Sequence, residues 1–296
     1  MRLCYAPGGD GPFVGLESEE RWFNLSMAIK GHPDRFPWID SCPEPRIEEI
    51  LANVPDLQGT VVELLGHLDT SGMVATYRID APRELLAPIT RPSKIIGLGR
   101  NYLGHAQETG LSVPDEPLIF AKAPSSIIGP GADIVYPPAV TRLDPETELG
   151  FVIGRRAKDV PEDSAMEYVA GYTIVNDVTA RDMQMRDVGE GKAWFRTKSF
   201  DTFTPMGPYL VLRDEIKDPH DLRITLRVNG EVRQDSTTAL CIFKIPQIIH
   251  NITTFMTLEP GDVVATDTPE GIAPLQRGDV LECTITGLGT LVNQVV

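Results

Sequence analysis

Two glutamates and an aspartate are the residues whose types and spacing point most directly to chemistry. Glu146 and Glu148 are two positions apart in a segment with strand character, so their side chains are expected on one face. Asp177 ends a second apolar segment, Tyr172–Asp177. Three converging carboxylates would repel one another, and a divalent cation would resolve that conflict. An all-oxygen set favours Mg²⁺ or Mn²⁺, with Ca²⁺ as a further candidate, over zinc. A solvated strand face is the alternative interpretation of an isolated Glu-x-Glu pair.

Arg181, Gln184 and Lys198 could add positive charge and hydrogen-bond donors to such a site. A helix that begins near Asp177 would place Arg181 and Gln184 one and two turns along, near the same face. Lys198 follows in a segment rich in aromatic residues, where an ammonium group can bind an oxyanion or donate a proton. An exposed amphipathic helix is the simpler interpretation of Arg181 and Gln184 taken alone.

His105 has the best context of the five histidines. If Leu103–Thr109 forms a helical turn, His105 and Glu108 are neighbours at positions i and i+3. A carboxylate beside an imidazole orients the ring and raises its basicity, which suits removal of a proton from water. A surface pair without a catalytic role is the alternative at this spacing.

The composition excludes several classes of function. The chain has 296 residues, 42% hydrophobic and 23% charged, as in an ordinary globular protein. Its net charge of −15 would repel phosphate backbones and anionic lipid surfaces. No uncharged apolar stretch approaches the roughly 18 residues of a spanning helix, and the first residues lack the apolar region of a signal peptide. We therefore expect a cytoplasmic protein that binds neither nucleic acid nor membranes.

The elements that must position these residues change in character near residue 90. Residues 1–90 hold two segments with helical spacing, around Arg21–Ile29 and Arg46–Val54, followed by short apolar stretches such as Thr60–Leu65 and Met73–Ile79. Three prolines within eleven residues then favour an extended crossing between two packed units. This pattern predicts a small α+β domain over residues 1–90 and a second domain over residues 91–296.

The second domain is expected to be mainly β. Short β-type runs alternate there with glycine and proline, and Asn229-Gly230 predicts a tight hairpin turn. Helical spacing interrupts the strands at Thr179–Val188 and Pro246–Thr257. Since no nucleotide-binding glycine motif occurs and the strands are irregularly spaced, a doubly wound sheet is excluded. The prediction is an α+β, mainly β fold with a mixed β-sandwich or roll.

Seven segments occur in an order that resembles the fumarylacetoacetate hydrolase family. They lie between about Ser93 and Val292 and comprise GRNYLGHAQE, PLIFAKAPSSIIGPG, ETELGFVIG, GYTIVNDVTARDMQ, KSFDTFTPMGP, LRVNGEVRQDS and GDVVATDTPEG. The resemblance implies the catalytic fold of that family over residues 91–296. The small N-terminal domain resembles the one found in many bacterial members.

The resemblance also implies roles for the residues singled out above. The matched metal ligands, usually of Mg²⁺ or Mn²⁺, are Glu146, Glu148 and Asp177. The matched residues near the metal and substrate are Lys198, Arg181 and Gln184. His105 and Glu108 match a dyad on a mobile lid that activates water, and Thr268 matches a threonine that contacts the substrate carboxylate. Asp267 departs from the pattern, since the family usually has glycine there, and its charge is expected to disfavour a second anionic group nearby.

Together these residues predict an enzyme that acts on a small anionic 2-oxo acid. A divalent ion favours such a substrate because the carboxylate and keto oxygens chelate it in one ring, and it stabilises the enolate released on bond cleavage. Since the dyad can activate water, hydrolysis of a carbon–carbon bond in an acylpyruvate-type 1,3-diketo acid is the expected reaction. Oxaloacetate-type decarboxylation and isomerisation or dehydration of related 2-oxo acids are alternatives. A non-enzymatic binding module with structural Ca²⁺ is the alternative outside enzymes. The resemblance also implies a homodimer.

Overall fold

A computed structural model of the chain describes residues 1–108 and 112–296. The strands are β1 Arg2–Ala6, β2 Phe13–Ser18, β3 Arg21–Asn24, β4 Arg78–Ile79, β5 Ile95–Gly99, β6 Leu118–Lys122, β7 Ile127–Ile128, β8 Asp133–Ile134, β9 Leu143–Asp144, β10 Thr147–Ile153, β11 Val169–Asn176, β12 Thr179–Ala180, β13 Thr204–Leu212, β14 Arg223–Val228, β15 Glu231–Thr237, β16 Val263–Ala265, β17 Val280–Ile285 and β18 Gly289–Val295. The helices are α1 Leu25–Lys30, α2 Ile47–Asn53, α3 Leu57–Thr70, α4 Val74–Tyr77, α5 Leu103–Glu108, α6 Arg181–Gly189 and α7 Ile245–Phe255.

Two mixed sheets form the body of the fold. The larger sheet has the strand order β4-β3-β2-β1-β13-β11-β10-β16-β5-β6, with β7 paired to β13. The smaller sheet has the order β15-β14-β17-β18-β8. Most pairs are antiparallel, whereas β16 runs parallel to β5. The predicted α+β, mainly β class is therefore confirmed, with sheets that are open rather than closed.

Strand β10 lies in the middle of the larger sheet and is buried along its whole length. Leu149, Phe151 and Ile153 pack into one hydrophobic core, which also contains buried residues of the smaller sheet and of α7. Val152 points to the other face and packs into a second core with buried residues of α1, α2 and α3. A strand covered on both faces is usually a nearly continuous apolar run, so Glu148 within β10 and Glu146 directly before it are conspicuous.

The first 80 residues extend the larger sheet instead of forming a sheet of their own. β1 pairs with β13, so that Leu3 lies opposite Leu210. The helix predicted over Arg21–Ile29 is wrong in its first part, because residues 21–24 pair with β2 as β3. The helix begins only after Asn24, whose side chain accepts the N–H of Met27.

Several other predicted elements can be compared with the structure directly. The helix predicted around Arg46–Val54 is confirmed as α2, whereas the apolar stretch Thr60–Leu65 lies inside α3. Met73–Ile79 contains the short helix α4 and strand β4. The division near residue 90 stays a prediction, and the second core includes residues from both sides of it, such as Val61 and Val175.

One hairpin and three helices agree closely with their sequence patterns. The hairpin β14–β15 turns at Asn229 and Gly230, which have φ values of 53° and 80°. Helices α6 and α7 begin and end within two residues of their predicted bounds. The helical turn predicted over Leu103–Thr109 is present as α5 up to Glu108, and Thr109 lies outside the described residues. None of the helices in the described residues is long and apolar enough to span a membrane.

Candidate active site

The three predicted carboxylates come together where β10 begins and β11 ends. The two strands are antiparallel and pair Thr147 with Asn176, which places Glu146, Glu148 and Asp177 at the same end of the pair. The Asp177 N–H also donates to the Glu146 backbone carbonyl over 2.8 Å. Each residue offers a carboxylate oxygen, and these oxygens lie within 4.8 Å of one another. All three side chains are buried.

Two lysines neutralise this acidic cluster. Lys198 Nζ lies 2.5 Å from both Glu146 Oε2 and Asp177 Oδ2. Lys122, at the end of β6, is completely buried, and its Nζ lies 2.5 Å from Asp177 Oδ1 and 2.5 Å from the Lys198 carbonyl oxygen. Lys122 is a functional candidate that no motif in the sequence indicates. Its signal was a single lysine inside the apolar run PLIFAKAP.

The charges within the cluster are unequal. Burial opposes ionisation of Glu146, but Lys198 and Arg181 outweigh it and hold the pKa of Glu146 below its ordinary value. Burial and the nearby carboxylates of Asp177 and Asp267 raise the pKa of Glu148 well above its ordinary value. Burial also disfavours the charged form of Lys198, but the two carboxylates beside it raise its pKa overall. Of the three carboxyl groups, Glu148 is therefore the one that forms no ion pair among the described residues.

The residues of this cluster fit a hard divalent cation. The donors are three carboxylates, which are the ligands that Mg²⁺ and Mn²⁺ prefer. Glu148 Oε2 accepts the N–H of Asp267 over 3.0 Å, whereas Glu148 Oε1 is buried and has no hydrogen-bond partner among the described residues. A buried polar atom without a partner is costly, and a cation would satisfy it.

Arg181 is held by three partners at the start of α6. Its Nε donates to Asp144 Oδ2 over 2.9 Å, and its two terminal nitrogens donate to Gln184 Oε1 and Glu146 Oε1. Arg181 and Gln184 are both largely buried, so the exposed-helix interpretation does not apply to them. Asp144, which the sequence analysis also left out, fixes the direction of the Arg181 side chain. The arginine thus presents a positioned charge beside the carboxylates.

His105 and Glu108 lie on the short helix α5, and their nearest side-chain atoms, Nδ1 and Oε2, are 3.5 Å apart. His105 is buried, whereas about a third of the Glu108 side chain is exposed. The backbone N–H of Gly271 donates to both Glu108 carboxylate oxygens, over 3.2 Å and 3.3 Å. The pair predicted from the spacing is therefore in proximity, and the Gly271 N–H holds the Glu108 carboxylate.

A cavity of about 390 Å³ connects these groups. Its volume lies within the range of about 300–1,000 Å³ that is typical of small-molecule sites. The polar residues that line it include His105, Glu108, Glu146, Arg181, Gln184, Lys198 and Asp267, together with Arg100 and Arg142. Apolar residues cover another part of the wall, among them Leu98, Phe120, Met185, Val188 and Trp194. Of the three carboxylates of the acidic cluster, Glu146 is among the residues that line the cavity, whereas Glu148 and Asp177 are not. The predicted dyad and one member of the predicted cation site thus open on one space.

Thr268 has a different environment from the other predicted site residues. Its hydroxyl donates to the Thr147 carbonyl over 2.9 Å and accepts a hydrogen bond from Gln234 over 2.8 Å. Thr268 is completely buried and is absent from the residues found to line the cavity. In the described structure it ties its loop to the start of β10. The contact with a substrate carboxylate stays a prediction.

Three known proteins resemble this chain in sequence or in structure. The chain is 43% identical over 257 residues to the mitochondrial oxaloacetate tautomerase Fahd2a of Rattus norvegicus, covering 82% of this chain and 81% of the relative. The crystal structure of 5-carboxymethyl-2-hydroxymuconate delta-isomerase from Mycobacterium smegmatis superimposes with a TM-score of 0.73 at 34% identity, covering 100% of this chain and 98% of that chain. Maleylpyruvate hydrolase from Sphingobium sp. SYK-6, solved with manganese(II) and pyruvate, gives a TM-score of 0.77 at 26% identity, covering 100% and 99%.

These relatives are a tautomerase, an isomerase and a hydrolase, so the shared fold supports more than one reaction. Residues 94–296 match the fumarylacetoacetate (FAA) hydrolase C-terminal family. That match covers more than half of the chain and includes every residue assigned to the candidate site. The chain therefore belongs to the fumarylacetoacetate hydrolase family.

Proposed function

We propose that this chain is a metal-dependent enzyme that interconverts the keto and enol forms of a short 2-oxo dicarboxylic acid such as oxaloacetate. The observation that carries the proposal is that His105, Glu108, Glu146 and Lys198 all line the cavity of about 390 Å³. Enolisation requires a base for a carbon-bound proton and positive charge near the developing oxyanion. The similarity to the rat oxaloacetate tautomerase supports this choice among the family's reactions.

Glu146, Glu148 and Asp177 would hold the metal ion, which we propose to be Mg²⁺ or Mn²⁺. When bound, the ion supplies positive charge that lowers the energy of an enolate. Lys122 Nζ donates a hydrogen bond to Asp177 Oδ1, and Lys198 Nζ donates one to Asp177 Oδ2. Because both lysines are buried, the orientation of Asp177 is set before any substrate arrives.

The chain's own residues supply the proton transfers. His105, oriented by Glu108, accepts a proton from C3 of the keto acid, and the electron pair of that C–H bond forms the C2=C3 double bond. The Lys198 ammonium donates a proton to the oxygen on C2, which completes the enol. The same groups act in the opposite sense during ketonisation. Arg100 and Arg142 line the cavity and provide charge for the second carboxylate of the substrate.

Hydrolysis of an acylpyruvate, the reaction expected first from the sequence, is the second candidate. Two observations favour it. An oriented imidazole can activate water as well as accept a carbon-bound proton, and the apolar wall at Phe120, Met185 and Trp194 would suit an apolar acyl group. The similarity to maleylpyruvate hydrolase supports the same reaction class. The predicted homodimer and the predicted cytoplasmic location stay predictions.

One set of assays separates these activities. The enol form of oxaloacetate is mixed with the Mg²⁺-loaded protein, and its ketonisation is followed by the loss of ultraviolet absorbance. We expect acceleration above the rate with Mg²⁺ alone, and loss of that acceleration in Lys198→Met. Pyruvate released from acetylpyruvate and from oxaloacetate is measured in parallel. If the protein releases pyruvate from acetylpyruvate but does not accelerate ketonisation, the proposed tautomerase activity is wrong and the protein is a hydrolase. If it releases pyruvate from oxaloacetate and shows neither other activity, it is a decarboxylase.

A further inference from the structure

We propose that Asp267 is a positioning residue that fastens the segment before α5, and with it the His105–Glu108 pair, to the strands that carry the acidic cluster. The part of this proposal that concerns turnover rests on the proposed function. The part that concerns the attachment of α5 does not, since it is measured without substrate.

Asp267 makes contacts in two directions. Its Oδ2 accepts the backbone N–H of Asn101 over 2.6 Å and that of Tyr102 over 3.2 Å, directly before α5. Its own N–H donates to Glu148 Oε2 over 3.0 Å. The residue is 2% exposed. Asp267 therefore links the residue that precedes the His105 helix with a member of the acidic cluster.

The loop of residues 266–271, called here the Asp267 loop, contacts the α5 segment at further points. Asn101 Nδ2 donates to the Thr266 carbonyl over 3.0 Å, and Gly271 N–H donates to Glu108. At Gly104, an added Cβ would overlap the Glu270 carboxylate, so the helix backbone and the loop approach closely. At the beginning of the helix, the charged side chain in these contacts is that of Asp267, which accepts the N–H groups of Asn101 and Tyr102.

The backbone of Asp267 has a positive φ, which favours glycine, so the presence of a carboxylate side chain here calls for a physical reason. Asp267 has a φ of 79°, a conformation that glycine adopts at little cost and other residues rarely adopt. A glycine would keep the N–H donated to Glu148 but would lose the carboxylate. Hydrogen bonds to an ionised carboxylate are stronger than neutral ones, which explains why an unfavourable residue type is accommodated here. The bond to two N–H groups also gives Asp267 a role other than the repulsion of anionic substrates expected from sequence.

Hydrogen exchange of the substrate-free protein tests the attachment. The variants are Asp267→Gly, Asp267→Asn and the matched control Asp159→Gly. Asp159 also has a positive φ, of 51°, but its side chain is 71% exposed and contacts Lys158 at the surface. We expect amide exchange over residues 101–108 to become about ten-fold faster or more in Asp267→Gly, because two charge-assisted hydrogen bonds are lost. Asp159→Gly should match the unsubstituted protein, and β11 should remain protected in all variants.

The variant Asp267→Asn tests whether the hydrogen bonds to Asn101 and Tyr102, and not merely a side chain that fills the space, hold the α5 segment in place. Asparagine tolerates a positive φ and keeps one acceptor oxygen, so Asp267→Asn should restore most of the protection. With oxaloacetate as substrate, Asp267→Gly should lower kcat at least ten-fold and change KM by less than three-fold, and Asp267→Asn should recover most of the kcat.

Several results would overturn the proposal. Unchanged exchange over residues 101–108 in Asp267→Gly would contradict it, as would equally fast exchange in the asparagine and glycine variants. Global unfolding of Asp267→Gly would show a role in the whole fold instead of the α5 segment. Faster turnover of a dianionic substrate in Asp267→Gly, with unchanged exchange, would establish repulsion in its place. Altered exchange without any turnover in the unsubstituted protein would leave the attachment intact and refute only the proposed function.

Discussion

The two halves of the candidate site are built in different ways. The carboxylates lie at the ends of β10 and β11, which are central strands of the larger sheet, and their side chains are almost completely buried. The His105–Glu108 pair lies on α5, a helix of six residues. A helix this short is not stable by itself, so its place depends on the contacts around it. Strand register fixes the first half, and a few hydrogen bonds fix the second.

This difference predicts that the same kind of substitution has unlike consequences in the two halves. Changes among the carboxylates should weaken metal binding, and a change at Asp177, which pairs with both lysines, should lower stability as well. Changes on α5 should alter turnover and leave stability nearly untouched. The following four predictions test that contrast, beginning with the largest expected effect.

Asp177→Asn should have the largest effect of the four, a loss in the free energy of unfolding. The aspartate is paired with both Lys122 and Lys198, and neutralising it leaves two buried ammonium groups with fewer counter-charges. Removing one partner of a buried ion pair costs about 3–5 kcal/mol. We expect the free energy of unfolding, measured by urea denaturation in chelator, to fall by about that amount. Glu108→Gln is the control on α5 and should change it by less than about 0.5 kcal/mol, as surface substitutions do. Equal losses in the free energy of unfolding in both variants would contradict the proposed difference between the two halves of the site.

His105→Ala should affect turnover while sparing stability and metal binding. Loss of a positioned general base lowers rates by a factor of about 10² to 10⁴. Ketonisation of oxaloacetate, and hydrolysis of acetylpyruvate if it occurs, should fall within that range at saturating Mg²⁺. The metal affinity, measured by calorimetry, should remain within about three-fold of the unsubstituted protein, since His105 is not part of the acidic cluster. A retained rate would exclude His105 as the base.

Glu148→Gln should separate metal binding from metal-free stability. Its Oε1 lacks a partner among the described residues, and burial already disfavours its ionised form. At about pH 4.5, where Glu148 keeps its proton in the folded protein, the amide should therefore be accommodated in chelator with a change in the free energy of unfolding of less than about 1 kcal/mol. The affinity for Mg²⁺ or Mn²⁺ should fall by about 100-fold or more, beyond the usual effect of an outer-shell residue. Thermal stabilisation by the metal should disappear as well, and an unchanged affinity would refute the ligand assignment.

The pH dependence of stability gives the smallest expected effect. Burial and the charges of Asp177 and Asp267 raise the folded-state pKa of Glu148 above its ordinary value of 4.5. Above that pH the unfolded state has lost the proton that the folded state retains, so stability falls as pH rises until the folded pKa is passed. Glu148→Gln cannot titrate and lacks this loss. In chelator, the stability difference between the two proteins should shift in favour of Glu148→Gln, by at most about 1.4 kcal/mol per pH unit.

The pH experiment has an internal check. Burial raises the pKa of Asp267 to about 6, which acts in the same direction, and the charges of Asp267 and Glu148 act on each other. Glu146 acts in the opposite direction, and below pH 4.5, because its pKa is lowered. A stability difference that does not change above pH 4.5 would show that Glu148 is ionised in the folded protein.

The sequence was most informative where function depends on local geometry. The two-residue spacing of Glu146 and Glu148 and the three-residue spacing of His105 and Glu108 are set by strand and helix periodicity, and the structure shows both pairs in proximity. The Asn229-Gly230 turn is predictable for the same reason. In each case the residues that must meet are close in the chain.

The sequence was least informative where distant segments meet. Lys122 contacts Asp177 across 55 positions, and no local pattern indicates that contact. Residues 21–24 form a strand because β2 pairs with them, although their apolar spacing suits a helix. The Asp267 carboxylate bonds to Asn101 across 166 positions, so that its role at α5 could not be predicted from the motif that contains it. Long-range pairing, rather than local propensity, decides each of these features.

The face on which a proton is delivered to C3 tests most sharply whether His105 catalyses tautomerisation. Enol oxaloacetate is ketonised in D₂O with Mg²⁺-loaded protein, and the product is trapped at once by NADH and excess malate dehydrogenase. A base held in one place by α5 and Glu108 delivers deuterium from one side, so the account predicts malate enriched in a single configuration at C3. His105→Ala should abolish the enrichment. Deuterium distributed equally between the two C3 configurations, formed at the rate of Mg²⁺ alone, would contradict the account.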